Sequence, residues 1–305
     1  MESLLITGGS GLLGSNLARL ALSRFEVYAT YRSHPAHIPG CEFVCLDIRD
    51  KEQTLSVFKK IKPQLVIHAA ASAKVDYCEE HHQETWAINV VGTESVVMAA
   101  SEIKAKLIYI STDSVFDGEH GMYREKDTPY PVNTYARTKL EGERAVQRLA
   151  PDSIIARTAF YGWSLREERS LAEWVVSSLR EGKDLKMFTD VFFSPIFTSN
   201  LAEALIEMYQ RSLRGLYHVA GSERCSKYHF GQEIARVFEL DSGLIQPGSI
   251  IEAGLKAPRP KDISLDVSKA SGEIDTQLLD VNEGIKQFKE EEDKIKALRE
   301  MQCIK

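Results

Sequence analysis

The stretch MESLLITGGSGLLG, residues 1–14, is an apolar run that breaks into glycines at Gly8, Gly11 and Gly14. Leu4 to Thr7 is predicted to form a short buried strand, and the apolar spacing of Leu12 to Leu22 predicts a helix. Backbone N–H groups and the helix dipole can bind a phosphate where such a strand turns into a helix. A Gly-rich turn without ligand is the alternative, but this context favours a dinucleotide site. Its predicted residues are Gly8, Ser10, Gly11, Leu12 and Gly14.

The second predicted strand, Glu26 to Thr30, should end beside the adenosine ribose, where an NAD-selective site places a carboxylate. Tyr31 and Arg32 stand there instead. A guanidinium pairs with a 2′-phosphate, so the sequence favours NADP(H) and leaves NAD(H) possible. A solvated loop position for Arg32 is the alternative.

Short apolar runs alternate with helix-length segments further along the chain. Four of them are predicted strands: Phe43 to Leu46, Leu65 to Ala70, Leu107 to Ser111 and Ser153 to Arg157. The alternation predicts an α/β, Rossmann-type doubly wound parallel sheet, with ligands at the carboxyl ends of its strands. Helix packing against the sheet is the alternative reason for the alanines at one strand end. Predicted cofactor contacts at these ends are Asp47, Ile48, Ala69, Ala70 and Ala71.

The candidate chemistry lies in two later motifs, ISTDSVFDG (110–118) and YPVNTYARTKLEGE (130–143). Tyr135 and Lys139 form Y-x-x-x-K, a spacing that puts both side chains on one helix face. A nearby cation lowers the pKa of a tyrosine, which can then exchange a proton near neutrality. Thr112 can donate a second hydrogen bond to a carbonyl oxygen. Together these residues predict a carbonyl-reduction site.

The motifs TGGSGLLG (7–14), HAAA (68–71), STDSVFDG (111–118) and YARTKLEGE (135–143) resemble, in this order, those of extended short-chain dehydrogenase/reductases. More narrowly, VDYCE (75–79), INVVGT (88–93) and RPKDISLDVSKA (259–270) are similar to dTDP-4-dehydrorhamnose reductases. They also resemble the related regulatory beta subunit of methionine adenosyltransferase.

The resemblance implies that NADPH reduces the C4 ketone of a nucleotide-linked 4-keto-6-deoxy sugar. Tyr135 would protonate the new alkoxide, Lys139 would bind the nicotinamide ribose and lower the tyrosine pKa, and Thr112 would polarise the ketone. Tyr135 and Lys139 thus count among the cofactor contacts, together with Asn89 as a support of the site. The expected substrate contacts are Lys74, Asp113, Phe160 and Arg259. An epimerase or dehydratase, and a non-catalytic NADP-binding regulatory subunit, are the alternatives.

Two segments depart from the pattern of the reductases. R-T-S-W-x-Y-G is replaced by Arg157 to Gly162, which is shorter and lacks the tryptophan. D-x-Q-x-G-S-P is replaced by Asp190 to Pro195, which puts bulk where a polar residue and a glycine are usual. An apolar wall is therefore expected in the substrate pocket.

The domain organisation follows from the same reading. Residues 1–162 are predicted to form the NADP-binding domain, to which 188–221 return with a helix and a strand. Residues 163–187 and 222–272 are predicted to form a smaller substrate-binding lobe. Residues 273–305 are predicted to form a helical tail, amphipathic through Ile285, Phe288, Ile295 and Leu298, that docks on its own domain or on a second subunit in a homodimer.

Composition excludes several classes of protein. The chain has 305 residues, is 43% hydrophobic and carries a net charge of −6, which argues against a nucleic-acid-binding surface. Neither a membrane span nor a signal segment is expected, which predicts a cytoplasmic protein. Five cysteines without C-x-x-C predict free thiols, with Cys41 and Cys45 packed around a buried strand. Cys78 to His82 lacks a closing ligand pair, so no metal site is expected.

Overall fold

A computed structural model describes residues 1–166 and 170–302. The strands are β1 Glu2–Thr7, β2 Phe25–Tyr31, β3 Cys41–Cys45, β4 Leu65–His68, β5 Lys106–Thr112, β6 Ile154–Thr158, β7 Phe160–Tyr161, β8 Leu185–Phe188, β9 Phe192–Phe193, β10 Ile196–Phe197, β11 Gly215–His218, β12 Cys225–Ser226 and β13 Ile245–Gly248. The α-helices are α1 Leu12–Ala21, α2 Lys51–Ile61, α3 Val75–Glu80, α4 His82–Trp86, α5 Gly92–Glu102, α6 Thr134–Leu149, α7 Leu171–Arg180, α8 Thr198–Gln210, α9 Lys227–Phe238, α10 Ser268–Glu273, α11 Val281–Glu290 and α12 Glu292–Gln302.

The central sheet has seven strands in the order β11-β6-β5-β4-β1-β2-β3, and every pair in it is parallel. This confirms the predicted Rossmann-type fold. Helix α8 and strand β11 return to the sheet beside β6, as expected from the sequence. Strand β4 ends at His68 and not at Ala70, because the chain turns away from β1 after Ala69 donates its backbone N–H to Thr7.

Alternate residues of β1 face opposite sides of the sheet, and both sides are covered. Leu4 and Ile6 belong to a core shared with α1 and α8, whereas Leu5 belongs to a core shared with α2 and α5. All three side chains are fully buried. The sequence of β1 is therefore continuously apolar, as in strands that are covered by helices on both faces.

The environment of β3 was predicted wrongly. β3 is an edge strand paired only with β2 among the described residues. Cys41 is half-buried and Cys45 is exposed, because no further strand covers this edge. All four described cysteines are free thiols, as expected; Cys303 lies outside the described residues.

A second hydrophobic core holds the C-terminal lobe. It combines α7, β8 and α9 with the apolar face of α11. Phe288 of α11 is fully buried and stacks on Trp163 with ring centroids 4.1 Å apart. Arg180 binds Glu292 at 2.5 Å, and Arg299 pairs with Glu173. Helices α11 and α12 are thus packed on the lobe of their own chain.

No helix in the described part of the chain is long and apolar enough to cross a membrane.

Candidate active site

The turn between β1 and α1 leaves backbone N–H groups available to a ligand. Helix α1 begins at Leu12 with Gly11 as its N-cap, so no side chain caps it. Gly8 has φ +72°, and a Cβ there would lie 2.7 Å from the Cα of Ala70. A Cβ at Gly14 would lie 2.2 Å from the carbonyl oxygen of Gly8. These residues must be glycine for the turn, β4 and α1 to approach one another, and the resulting cradle fits a pyrophosphate.

A cleft of about 780 Å³ runs from this turn along the carboxyl ends of the strands. Lys74 and Phe160, two predicted substrate contacts, line it. The predicted cofactor residues that line it are Gly8, Ser10, Gly11, Leu12, Gly14, Tyr31, Arg32, Asp47, Ile48, Ala69, Ala70 and Ala71. The predicted residues outside its lining are Asn89, Thr112, Asp113, Tyr135, Lys139 and Arg259.

Tyr135 and Thr112 are brought together where β5 ends and α6 begins. The side chain of Asn133 caps α6 by accepting from the backbone N–H of Ala136 at 2.9 Å, which places Tyr135 in the first turn. The Thr112 hydroxyl lies close enough to the Tyr135 phenol to lower its pKa. Thr112 Oγ1 donates to Asp113 Oδ1 at 3.0 Å. Phenol, hydroxyl and carboxylate therefore lie together.

Lys139 lies one turn further along α6. Its Nζ donates to the backbone oxygen of Ile110 at 2.7 Å and lies 4.1 Å from the centre of the Tyr109 ring. Burial lowers the pKa of Lys139 to about 7, against the opposing influence of Glu143. The sequence predicted that this ammonium would lower the pKa of Tyr135. In the structure, burial and then the charge of Asp113 raise the pKa of Tyr135, with the Thr112 hydrogen bond opposing them.

A buried ion pair lies beneath Lys139, and the sequence analysis did not identify it. Glu143 accepts from Arg157 Nε at 2.9 Å and from Arg157 Nη2 at 2.7 Å, and Ser111 Oγ donates to it at 2.5 Å. The two charged side chains are 3% and 2% exposed. The ion pair joins α6 to β6 and β5, so it fixes the helix that carries Tyr135. The YARTKLEGE motif contains Glu143, but nothing in the sequence pairs it with Arg157.

Asn89 hydrogen-bonds to two segments of the site. It lies in a π-helical turn, Ala87–Val91, and is 1% exposed. Its Oδ1 accepts from the Ser72 N–H at 2.8 Å, and its Nδ2 donates to the Ser72 oxygen and to Thr138 Oγ1, both at 3.0 Å. Protein groups therefore occupy both ends of the amide. Asn89 ties the loop after β4 to α6; its contact with a cofactor stays a prediction.

A lysine of the C-terminal lobe faces the same group from the other side. Lys227, the first residue of α9, places its Nζ 3.1 Å from the centre of the Phe193 ring. Burial raises the pKa of Asp113 to about 6, and the positive charge of Lys227 opposes that rise. Burial lowers the pKa of Lys227 to about 8, which Asp113 opposes in turn. Sequence reasoning missed Lys227; the expected apolar wall at 190–195, which contains Phe193, was the only signal in its neighbourhood.

Arg259 is held outside the cleft lining. It binds Asp76 at 3.0 Å and donates to the backbone oxygen of Ala257, also at 3.0 Å. The Ala257 N–H donates to the same Asp76 oxygen at 3.0 Å. Arg259 would have to release Asp76 before it could bind a substrate diphosphate.

Across residues 1–166 and 170–302, no three His, Cys, Asp or Glu side chains are grouped as a metal ion would require. In the Cys78 to His82 segment, Cys78 is buried against Ser72, and His81 stacks on Tyr77.

Comparison with known proteins gives a consistent result. The family described as "RmlD substrate binding domain" matches residues 1–293. The chain is 32% identical to the "Probable low-salt glycan biosynthesis reductase Agl14" of Haloferax volcanii, over 88% of this chain and 91% of that protein. It is 31% identical to the methionine adenosyltransferase 2 subunit beta of Xenopus laevis, over 87% of this chain and 80% of that one. The solved dTDP-4-dehydrorhamnose reductase of Bacillus anthracis, a complex with NADP, superposes with a TM-score of 0.85 at 28% identity, covering 95% of this chain and 100% of that one.

Proposed function

The chain belongs to the RmlD substrate binding domain family, and from this premise we propose that it is an NADPH-dependent reductase of a nucleotide-linked 4-keto-6-deoxy sugar. It is thus an oxidoreductase of the extended short-chain dehydrogenase/reductase type, and NADH is a possible second coenzyme. The proximity of Thr112 and Tyr135 where β5 ends, together with a cleft built on a glycine turn, is the observation that carries the proposal. NADPH, when bound, supplies the hydride.

The chain supplies the proton and the electrostatic stabilisation. Tyr135 donates its phenolic proton to the carbonyl oxygen as negative charge develops there, and Thr112 donates a second hydrogen bond to the same oxygen. Thr112 must turn its hydroxyl from Asp113 toward the substrate for this step. The phenol is protonated at neutral pH, and burial, which raises its pKa, keeps the proton in place until the substrate oxygen takes it. Lys139 would hold the nicotinamide ribose and would help to return a proton to the Tyr135 phenolate after the transfer.

The binding roles are proposed to divide between the two cores of the molecule. Residues 1–162 and 188–221 would hold the dinucleotide, and residues 163–187 and 222–272 would hold the sugar. Lys74 and Phe160 of the first part line the cleft, as does Arg166 of the second. Asp113, which follows β5, and Lys227, which begins α9, would both contact sugar hydroxyls.

A homodimer forms part of the proposal. Trp86, which precedes the π-helical turn, and Val91, which ends it, are 48% and 41% exposed. Burial of these side chains against a second copy would remove apolar surface from water. Light scattering on the purified protein measures its molar mass and so tests whether it is a dimer.

The defining experiment follows NADPH absorbance with dTDP-4-keto-6-deoxyglucose and related nucleotide keto sugars. The Tyr135→Phe variant and NADH serve as comparisons. Oxidation of NADPH that requires Tyr135 supports the reductase. A regulatory role like that of the methionine adenosyltransferase subunit would instead give NADPH binding without turnover on any of these sugars, and an epimerase or dehydratase would convert a nucleotide sugar without net NADPH consumption.

A further inference from the structure

The expected adenosine end of the cleft contains a carboxylate that the second strand does not supply. Glu84, in α4, lines the cleft together with Arg32. Its Oε1 lies 3.8 Å from Nη1 of Arg32, and the two side chains are 35% and 49% exposed. The sequence assigned selectivity at this end to Arg32 alone, because no acidic residue follows β2 directly. The fold supplies an acidic residue there from another segment.

Glu84 is held in place by its own contacts. Tyr77 donates its hydroxyl proton to Glu84 Oε2 at 2.6 Å. The Tyr77 ring stacks on His81 with centroids 3.9 Å apart and planes within 11°, which fixes the position of that hydroxyl. The Tyr77 hydrogen bond, with smaller contributions from Arg32 and Arg49, lowers the pKa of Glu84, so the carboxylate is ionised at neutral pH.

Asp47, the other carboxylate in this part of the cleft, is paired with a different arginine, Arg49. Arg49 Nε lies 2.9 Å from Asp47 Oδ1, and Arg49 Nη2 lies 2.5 Å from Oδ2. This bidentate pair occupies both oxygens of Asp47. Glu84 is therefore the carboxylate with an oxygen directed toward Arg32.

Glu84 and Arg32 carry opposite preferences for the adenosine ribose. A carboxylate accepts hydrogen bonds from a 2′-hydroxyl and repels a 2′-phosphate, whereas a guanidinium attracts the phosphate. In addition, a 2′-phosphate has to displace Glu84 from Arg32 before it can pair with the guanidinium. The two side chains are partly exposed and 3.8 Å apart, so this exchange is accessible.

We propose that Glu84 is a coenzyme-selectivity residue that competes with the 2′-phosphate of NADPH for Arg32 and accepts from the ribose hydroxyl of NADH. This inference rests on the proposed function, since it concerns the same coenzyme site. On this proposal the protein uses both coenzymes, and the Glu84 side chain reduces its preference for NADPH.

The test is the affinity of Glu84→Gln for each coenzyme, measured by NADPH and NADH fluorescence at fixed ionic strength. The variant should bind NADPH roughly two- to five-fold more tightly and NADH more weakly by a similar factor. Glu94→Gln is the matched control, because Glu94 also pairs with one arginine, Arg148 at 2.7 Å, and is 33% exposed, but does not line the cleft. Its NADPH-to-NADH affinity ratio should equal that of the wild type.

A second variant keeps the inference testable if Glu84→Gln folds poorly. Tyr77→Phe removes the hydroxyl that holds Glu84 and leaves the stacked ring, so its affinity ratio should shift in the same direction by a smaller factor. Unchanged ratios in both variants, with NADPH turnover intact, would overturn the role of Glu84 and leave the reductase standing. A wild-type protein that binds neither coenzyme would overturn the proposed function itself.

Discussion

Tyr135 lies at the meeting point of groups from two separate parts of the chain. Thr112 comes from the sheet, and Lys227 approaches Asp113 from the C-terminal lobe. The lobe thus places a positive charge near Asp113.

Replacement of the phenol tests the acid directly. Tyr135→Phe should lower kcat about 10²- to 10⁴-fold, the usual contribution of a positioned proton donor. The affinity for NADPH should stay within about two-fold, because Tyr135 does not line the cleft that is built on the glycine turn. Steady-state kinetics and fluorescence titration measure the two quantities. Turnover equal to that of the wild type would exclude Tyr135 as the acid.

Arg32 should discriminate between the coenzymes in the opposite sense to Glu84. Arg32→Ala removes the guanidinium at the 2′ position and should weaken NADPH by about ten-fold or more, with NADH affected little. Titration with both coenzymes gives the ratio. Equal weakening of both would remove Arg32 from the phosphate site.

The charge of Lys227 should determine the pH at which kcat/KM falls on the acid side of its profile. The pKa of Asp113 is about 6 with Lys227 present, so Asp113 is a carboxylate above that pH and becomes neutral below it. Lys227→Met removes a neighbouring positive charge, which raises the pKa of Asp113 further and moves the acid limb of kcat/KM to higher pH. Lys227→Arg keeps the charge and should leave the limb near its original position. If the wild type, Lys227→Met and Lys227→Arg gave the same pH profile, Asp113 would have no part in substrate binding.

At the scale of elements, the Glu143–Arg157 pair determines how α6 sits on the sheet. Helix α6 presents Tyr135 and Lys139 toward the site and Glu143 toward β6. Asn89, in its π-helical turn, holds the opposite side of α6 through Thr138. Helix α6 is therefore fixed by polar contacts on two sides, both of them buried.

Breaking that pair should be costly for folding. Glu143→Gln leaves the Arg157 charge buried without a counter-charge, which should lower the free energy of unfolding by about 3–5 kcal/mol. Glu141→Gln breaks the exposed pair with Arg144 and should cost less than about 1 kcal/mol. Urea denaturation at neutral pH measures both. A loss for Glu143→Gln no larger than that for Glu141→Gln would contradict this account of α6.

The sequence predicted the strands and helices better than it predicted which side chains contact one another. Periodicity located the six strands of the first half and the return of α8 and β11, because each of these signals is local in the chain. Glu84, Lys227 and the partner of Glu143 act through contacts with residues far away in sequence, which no local pattern specifies. The exposure of Cys45 was missed for a related reason: an edge strand and a central strand can have the same composition, and only the sheet order distinguishes them.

At the scale of the whole molecule, the last helices complete the fold. The sequence predicts that residues 273–305 dock on their own domain or on a second subunit. Phe288 is fully buried in the lobe of its own chain, and the Trp163 indole N–H donates to its backbone oxygen at 2.6 Å. The second core is therefore closed by residues of α11. A variant that weakens α11 should weaken the lobe as a whole.

Phe288→Ala tests this closure. Removing a fully buried phenylalanine should lower the free energy of unfolding by about 3–5 kcal/mol. It should also raise KM for the sugar more than the Kd for NADPH, because the glycine turn lies in the other core. Denaturation and steady-state kinetics measure the two effects. An unfolding midpoint equal to that of the wild type would show that the C-terminal helices are dispensable.

The stacking of Trp163 on Phe288 gives the protein a built-in optical reporter. The chain has three tryptophans; Trp163 is 5% exposed, whereas Trp86 and Trp174 are 48% and 39% exposed. Their emission should therefore separate into a blue, quencher-resistant component from Trp163 and a red, quenchable component from the other two. Loss of the blue component during a titration would signal detachment of α11 from the lobe, and it could be followed in unlabelled wild-type protein.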